Sequence, residues 1–276
     1  MSAIRYFSMF SGIGGFELGI EAAAHELGIT AECVGYSEID KHAIRTYEEH
    51  YAHDNYGDAT TIDADHLPDF DLLVGGFPCQ AFSIAGKRLG FDETRGTLFF
   101  DIARILKAKE PRFFILENVK GLISHNKGQT FRTIVRVLDG LGYDLQWKVL
   151  NSKDHGVPQS RERVFIVGNL GGTPRPEVFS AGGPTNPYST VGLTTETAVA
   201  RTFTAGGNSG GNHSGMTIIR TAHGDRRATV NEAERLSGYV DNWTVGSDTQ
   251  RYKQCGNTVV PPVVKYVAKR LLVGVA

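Results

Sequence analysis

The sequence predicts an α/β protein: an open, nucleotide-type sheet with a smaller β-rich unit attached. Three observations predict it. As far as Gly168, short apolar runs alternate with amphipathic stretches at helical spacing. Glycine turns and polar side chains stand at the ends of those runs, the edge where an open α/β sheet gathers ligands. Between Gly171 and Asp225 the alternation gives way to a run rich in Gly, Thr, Ser, Asn and Pro.

The elements follow in order. Ile4 to Phe10 reads as a first strand, Ser11-Gly12-Ile13-Gly14-Gly15 as a turn and Phe16 to Leu27 as a helix stopped by Gly28. The turn falls short of the full dinucleotide fingerprint, so it fits a ligand-binding turn or an ordinary βα turn. Ala31 to Ser37 is a second strand ending at Glu38-Ile39-Asp40, and Lys41 to His50 the next helix. Glu38 is placed to accept from ribose hydroxyls, while Asp40 suits a helix N-cap. A third short element ends at Gly57-Asp58-Ala59, where Asp58 fits an exocyclic amine or a turn. With the glycine turn, Glu38 and Asp58 at successive strand ends, a bound adenosine is expected.

Asp71 to Val74 is a buried strand running into Gly75-Gly76-Phe77-Pro78-Cys79-Gln80-Ala81-Phe82-Ser83. Pro78 fixes its own φ and restricts Phe77, so Cys79 sits on stiff backbone past a strand exit. The residues alone suit a nucleophile or a small packed thiol. Ala85 to Gly96, with Lys87, Arg88 and Arg95, reads as a lid or as a solvated loop. Thr97 to Lys107 is an amphipathic helix, and Arg112 to Leu116 a strand tipped by Glu117-Asn118-Val119. That puts a carboxylate on the strand expected beside the one leading to Cys79.

Phe131 to Leu138 reads as a helix and Tyr143 to Leu150 as a strand. Gly156 to Arg163 then leads into the strand Val164 to Gly168. Arg161 and Arg163 share one face of an extended segment, available to phosphate, to a base edge or to acidic neighbours. Thr202 to Asn208 and Met216 to Arg220 suggest short strands joined by glycine loops. A helix over Glu232 to Leu236 follows, and Val263 to Leu272 is the last helix, with Pro261 and Pro262 in its first turn.

The composition bounds the function. The chain has 276 residues, 41% of them hydrophobic, enough for a large domain with a small one. Three widely spaced cysteines, Cys33, Cys79 and Cys255, give neither a disulfide framework nor a zinc site. No metal is expected, and a reducing, cytoplasmic setting is. Met1 to Phe10 lacks the pattern of a signal peptide, and no run reaches membrane-spanning length. A formal charge of −1 argues against nonspecific coating of nucleic acid, though a local basic face is compatible with it.

Together the motifs resemble the DNA (cytosine-5) methyltransferase family of the bacterial and phage restriction–modification type. Phe10-Ser11-Gly12-Ile13-Gly14-Gly15, Pro78-Cys79-Gln80, Glu117-Asn118-Val119, Gln159-x-Arg161-x-Arg163, Arg235-Leu236-x-Gly238-Tyr239 and Gly256-Asn257-Thr258-Val259-Val260 carry the resemblance, in the family's order and over nearly the whole chain. It implies a Rossmann-like, S-adenosylmethionine-dependent methyltransferase sheet built from residues 1–173 and 255–276. It implies a small target-recognition domain over 174–254. S-adenosyl-L-methionine would meet Phe10, Gly12, Gly14, Glu38, Ile39, Asp58, Ala59, Pro78, Leu98 and Asn257. Cys79 would add to C6 of a flipped-out cytosine, Glu117 would bond N3 and the amine, and Arg163 with Arg161 would hold the O2 side. Gln80, Ser83, Lys87, Arg88, Thr202, Thr204, Gly206, Gly207 and Arg227 would face duplex DNA. A monomer is expected, with a restriction endonuclease of the same site as a possible partner. The related alternatives are a transfer-RNA cytosine-5 methyltransferase and a non-catalytic DNA-binding relative.

Three departures from the family pattern stand out. Ser8 replaces the usual acid before the glycine turn, and His155 replaces an aromatic. The stretch between Arg163 and Arg227 is short, which implies a short recognition sequence or help from a partner.

Overall fold

The computed structural model describes residues 2–78, 98–171, 176–179, 200–201, 218–221 and 224–274. The sequence-derived candidates Cys79, Gln80, Ser83, Lys87, Arg88, Thr202, Thr204, Gly206 and Gly207 lie outside the described residues.

The strands are β1 (Ala3–Met9), β2 (Thr30–Ser37), β3 (Leu72–Gly76), β4 (Phe113–Val119), β5 (Tyr143–Asn151), β6 (Gln159–Ser160), β7 (Glu162–Leu170), β8 (Ala200–Arg201), β9 (Ile218–Thr221) and β10 (Gly224–Arg227). The α-helices are α1 (Gly15–Leu27), α2 (Lys41–Glu48), α3 (Leu98–Lys109), α4 (Gln129–Gly140), α5 (Val230–Leu236), α6 (Asp248–Asn257) and α7 (Pro261–Leu272). Six strands form one sheet in the order β2-β1-β3-β4-β7-β5. The first four run parallel, as chains joined by crossover helices do. β7 runs antiparallel between β4 and β5. The short β pairs β6–β8 and β9–β10 account for the described strands outside that sheet.

The strand pleat sorts the core into two layers. From β1, β3 and β4, Tyr6, Val74 and Ile115 face one side, against Phe16 and Ile20 of α1 and Val264 and Leu271 of α7. Phe7, Leu73 and Phe114 face the other, against Ile102 and Leu106 of α3 and Ile134 and Leu138 of α4. This three-layer packing is why the parallel strands are nearly continuous apolar runs. α1 and α7 approach so closely that a Cβ on Gly19 would lie 2.5 Å from the Val264 Cβ. His155 stands in for an aromatic by packing its ring against Tyr266 of α7, 4.7 Å between centroids.

Residues 228–257, which the sequence groups mostly with the smaller unit, pack on the front of the large one. Trp243 donates its indole N–H to the Ile13 carbonyl at 2.9 Å and stacks on His50 at 3.6 Å. Thr46 of α2 donates to Gln254 of α6 at 2.8 Å across a buried contact. The physical reason is an apolar patch formed by Ile13 of the glycine turn, Leu18 of α1 and Ala43 of α2, which Tyr239 and Trp243 cover.

Candidate active site

The carboxyl ends of β1, β2, β3 and β4 open into one cleft of about 590 Å³. β1 exits through Phe10, held at φ 56°, into Gly12 at φ 58° and Gly14 at φ 85°. These left-handed positions turn the backbone so that the Gly12 N–H donates to Glu38 Oε2 at 2.9 Å. Glu38 Oε1 accepts from the backbone N–H groups of Ile39 and Asp40, both at 2.8 Å. The carboxylate is thus fixed at the tip of β2 with acceptor capacity to spare. Asp40 does cap α2, accepting from the His42 N–H at 2.9 Å, and also takes the Lys253 ammonium at 2.9 Å. Ile39 is 67% exposed and lines the same cleft as Phe10, an apolar surface open to a ligand. Asp58 accepts from the Thr60 N–H and hydroxyl through Oδ1, which holds its carboxyl below the usual range. Ala59, Pro78, Leu98 and Asn257 complete this side. Nine of the ten predicted cofactor residues therefore line one cleft; Gly14 does not, and its α-carbon packs against the Tyr51 ring instead.

The other side is built from β3, β4 and β7. Gly76 pairs in register with Glu117, so the strand leading to Pro78 ends beside the carboxylate. A Cβ on Gly76 would come within 3.3 Å of Glu117 Oε2, so glycine leaves that carboxyl room. Glu117 Oε1 meets Arg163 Nε at 3.0 Å, with both side chains mostly buried. Burial pushes the Glu117 pKa up, and the guanidinium groups of Arg163 and Arg161 pull against it. The net direction is upward, which favours a carboxyl able to give a proton. Asn118 is buried and donates to the Phe77 carbonyl at 2.8 Å, tying the β4 tip to the chain just before Pro78.

Arg161 is held differently from Arg163. It is 3% exposed and donates to the carbonyls of Gly256 at 3.0 Å and Thr258 at 2.5 Å. Sequence spacing puts both arginines on one face but does not show which groups each reaches. Arg227 is exposed, with its guanidinium 5.7 Å from the Tyr252 ring.

Two features escaped the sequence reading. Helix α6 brings Lys253 and Gln254 to the cleft beside the predicted Asn257, and its readable trace was the Ser247-x-x-Gln250 capping box, which the structure forms. Glu17 of α1 lies fully buried beside Ser8, so an acid reaches the place of the missing strand acid from the helix instead. Tyr47 donates to it at 3.1 Å, and burial pushes its pKa up to about 7. The thiols of Cys33 and Cys255 are pushed up to about 12 by burial, which makes both inert as nucleophiles.

An open sheet with a reversed β7, and a cleft across its strand ends, defines a Rossmann-like methyltransferase fold. Solved structures share it. The S. pombe Dnmt2 methyltransferase superposes with a TM-score of 0.75 at 19% identity, covering 98% of each chain. The Entamoeba histolytica methyltransferase EhMeth gives 0.72 at 17% identity, covering 99% of this chain and 98% of that one. A profile for the C-5 cytosine-specific DNA methylases matches residues 4–190 and 186–272. The chain belongs to that family and is a DNA (cytosine-5) methyltransferase. It is similar to the type II methyltransferase M1.ScrFI of Lactococcus lactis subsp. cremoris, at 37% identity over 97% of this chain and 78% of the relative. Type II methyltransferase M.NgoBI of Neisseria gonorrhoeae is 38% identical over 96% of this chain and 92% of its own length.

Proposed function

We propose that the chain methylates C5 of a flipped-out cytosine in a short sequence of duplex DNA, using S-adenosyl-L-methionine and a covalent Cys79–C6 adduct. The observation that carries this reading is the buried Glu117–Arg163 pair set in register with Gly76, at the strand exit that leads to Cys79. The inertness of the other two thiols supports Cys79 as the nucleophile.

The cleft fits the cofactor. Glu38 offers oriented carboxylate oxygens for ribose hydroxyls, Phe10 and Ile39 an apolar slot for adenine, and Asp58 an acceptor for its amine. Bound there, S-adenosylmethionine supplies an electrophilic methyl group. The protein supplies the rest. Cytosine C5 is a poor nucleophile, and thiolate addition at C6 makes C5 electron-rich. Glu117 gives its proton to N3 and accepts from the exocyclic amine, drawing charge off C6 as the C–S bond forms. Arg163 orients Glu117 and faces the O2 side. After methyl transfer releases the sulfide leaving group, water takes the C5 proton, the C6–S bond breaks to free Cys79 as thiolate, and N3 returns its proton to Glu117, which restores the neutral ring. Extruding the base from its stack costs a few kcal/mol. Gln80, Ser83, Lys87, Arg88, Thr202, Thr204, Gly206, Gly207 and Arg227 hold the duplex in this reading. Residues 180–227 form the recognition unit, and 228–254 serve the cleft they pack on.

The type II names of the relatives extend the proposal to a cytoplasmic, monomeric enzyme of a restriction–modification pair, with an endonuclease cutting the same site. Among the described residues no helix is long and apolar enough to cross a membrane. The test is transfer of labelled methyl to plasmid DNA by the purified protein, followed by mapping of 5-methylcytosine. Transfer at one short sequence is expected. Label on transfer RNA and none on duplex would overturn the substrate. Cys79→Ala should abolish transfer and keep cofactor binding, and activity surviving in that variant would sink the nucleophile assignment.

A further inference from the structure

The two sides of the cleft are joined through Arg161. Its backbone is pinned to the end of β5: its N–H donates to Asn151 Oδ1 at 3.0 Å, and its carbonyl accepts from the Ser152 N–H at 3.1 Å. Its guanidinium reaches the opposite way, to the carbonyls of Gly256 and Thr258. Those carbonyls flank Asn257, which lines the cofactor side. Two residues along the same extended segment, Arg163 holds Glu117 on the cytosine side. The turn is secured from its far side as well, by the Tyr239 hydroxyl at 2.5 Å from Thr258 Oγ1 and 3.3 Å from the Val259 carbonyl. A guanidinium so buried is costly to keep charged, and burial pulls its pKa down to about 10, still cationic at neutral pH. Two neutral backbone carbonyls on another element are partners that fix geometry more than they neutralise charge.

We propose that Arg161 is a positioning residue that couples the two ligand sites, locking the Gly256–Thr258 turn beside the cofactor to the strand start that presents Arg163 to Glu117. Filling one site then holds the other in its binding geometry, so cofactor and target DNA each raise the affinity of the other by the same factor. This rests on the reading of the cleft given under Proposed function.

The experiment is a thermodynamic cycle on the full chain. Affinity for S-adenosylhomocysteine is measured by titration calorimetry, alone and with a saturating duplex bearing the mapped methylation site. For the wild type the duplex should tighten binding on the order of tenfold. Arg161→Lys, which keeps one donor, should lose part of that factor, and Arg161→Met all of it. The readout is the ratio of the two affinities, which a general loss of fold would lower on both arms alike. An unchanged ratio in Arg161→Lys, or equal weakening on both arms tracking a lower melting temperature, would overturn the proposal. A wild type that binds both ligands with no mutual tightening would also overturn it and leave the methyltransferase reading standing. A wild type that binds no S-adenosylhomocysteine would instead bring down the cofactor reading, and this proposal with it.

Discussion

Two buried acids illustrate how one side-chain type is set to different tasks. Glu117 opens onto the cleft, with Arg163 on one oxygen and Gly76 leaving room at the other. Its raised pKa keeps the proton-bearing form available further up the pH scale than an exposed glutamate would. The sign follows: if that form does the work, activity falls as pH rises through the raised value. Glu117→Gln should lower kcat by about two to four orders of magnitude and remove that limb of the pH profile. Steady-state methyl transfer between pH 5.5 and 9 checks it. Glu17 serves the fold. Its pKa, raised to about 7 by burial, means the folded protein holds a proton that the unfolded chain releases near 4.5. Its favourable contribution is therefore full below pH 4.5 and is lost as pH climbs to about 7, roughly 3 kcal/mol in all. Glu17→Gln keeps the acceptor for Tyr47 and carries no charge. Its melting temperature relative to wild type should rise steadily from pH 5 to pH 8, and a difference flat with pH would refute this account.

Among the elements, the pair β3–β4 does most to build the site. Adjacency of these strands was legible from their apolar runs and glycine punctuation, and with it the meeting of Glu117 and the exit toward Cys79. The tie across their tips was not legible, because a single Asn after a buried acid carries no periodicity. Asn118→Ala would orphan the buried Phe77 carbonyl, costing about 1–3 kcal/mol of stability. Because it loosens the backbone entering Pro78, kcat should fall on the order of tenfold to a hundredfold with cofactor affinity kept. Single-turnover rates beside cofactor titrations separate the two effects. The direction of β7 was open to the sequence in principle. Only a short turn region separates β5 from it, too little for the crossover that a parallel pair needs. Helix α6 was hidden because its polar sequence offers no apolar stripe, so only its capping box marked it. The paired roles of Arg161 and Arg163 were hidden for a different reason. Alternation along a strand gives a face, and only the fold supplies what stands opposite that face.

Across the whole molecule, the last third of the chain returns to the first. Residues 228–257 and α7 cover the glycine turn, the front of α2 and one face of the sheet. Trp243 is the central contact, holding the Ile13 carbonyl inside the turn that starts at Gly12. Trp243→Ala should cost about 3–5 kcal/mol. It should also weaken S-adenosylhomocysteine binding, because the turn loses its outer support. Thermal melts with and without that ligand would show both losses, and a variant that binds as tightly as wild type would contradict this role for the indole.

The reversed course of β7 has a consequence for how such an enzyme could be re-targeted. Arg163, at its start, pairs with Val119 at the cleft edge, while Asn169, near its end, pairs with Phe113 at the far edge. The chain thus leaves the six-stranded sheet at Leu170 with Arg161 and Arg163 already delivered to the cleft, and among the described residues it gives that sheet no later strand. It rejoins the described helices at Val230. Residues 176–179 still belong to the large unit: Val178 is buried in its core, and Gln146 of β5 holds the Pro176 carbonyl and the Val178 N–H. If target recognition is carried beyond them, genetic exchange with joints after Phe179 and before Ala228 would spare the strands of the sheet and the helices packed on it, and hand the same chemistry a new DNA address.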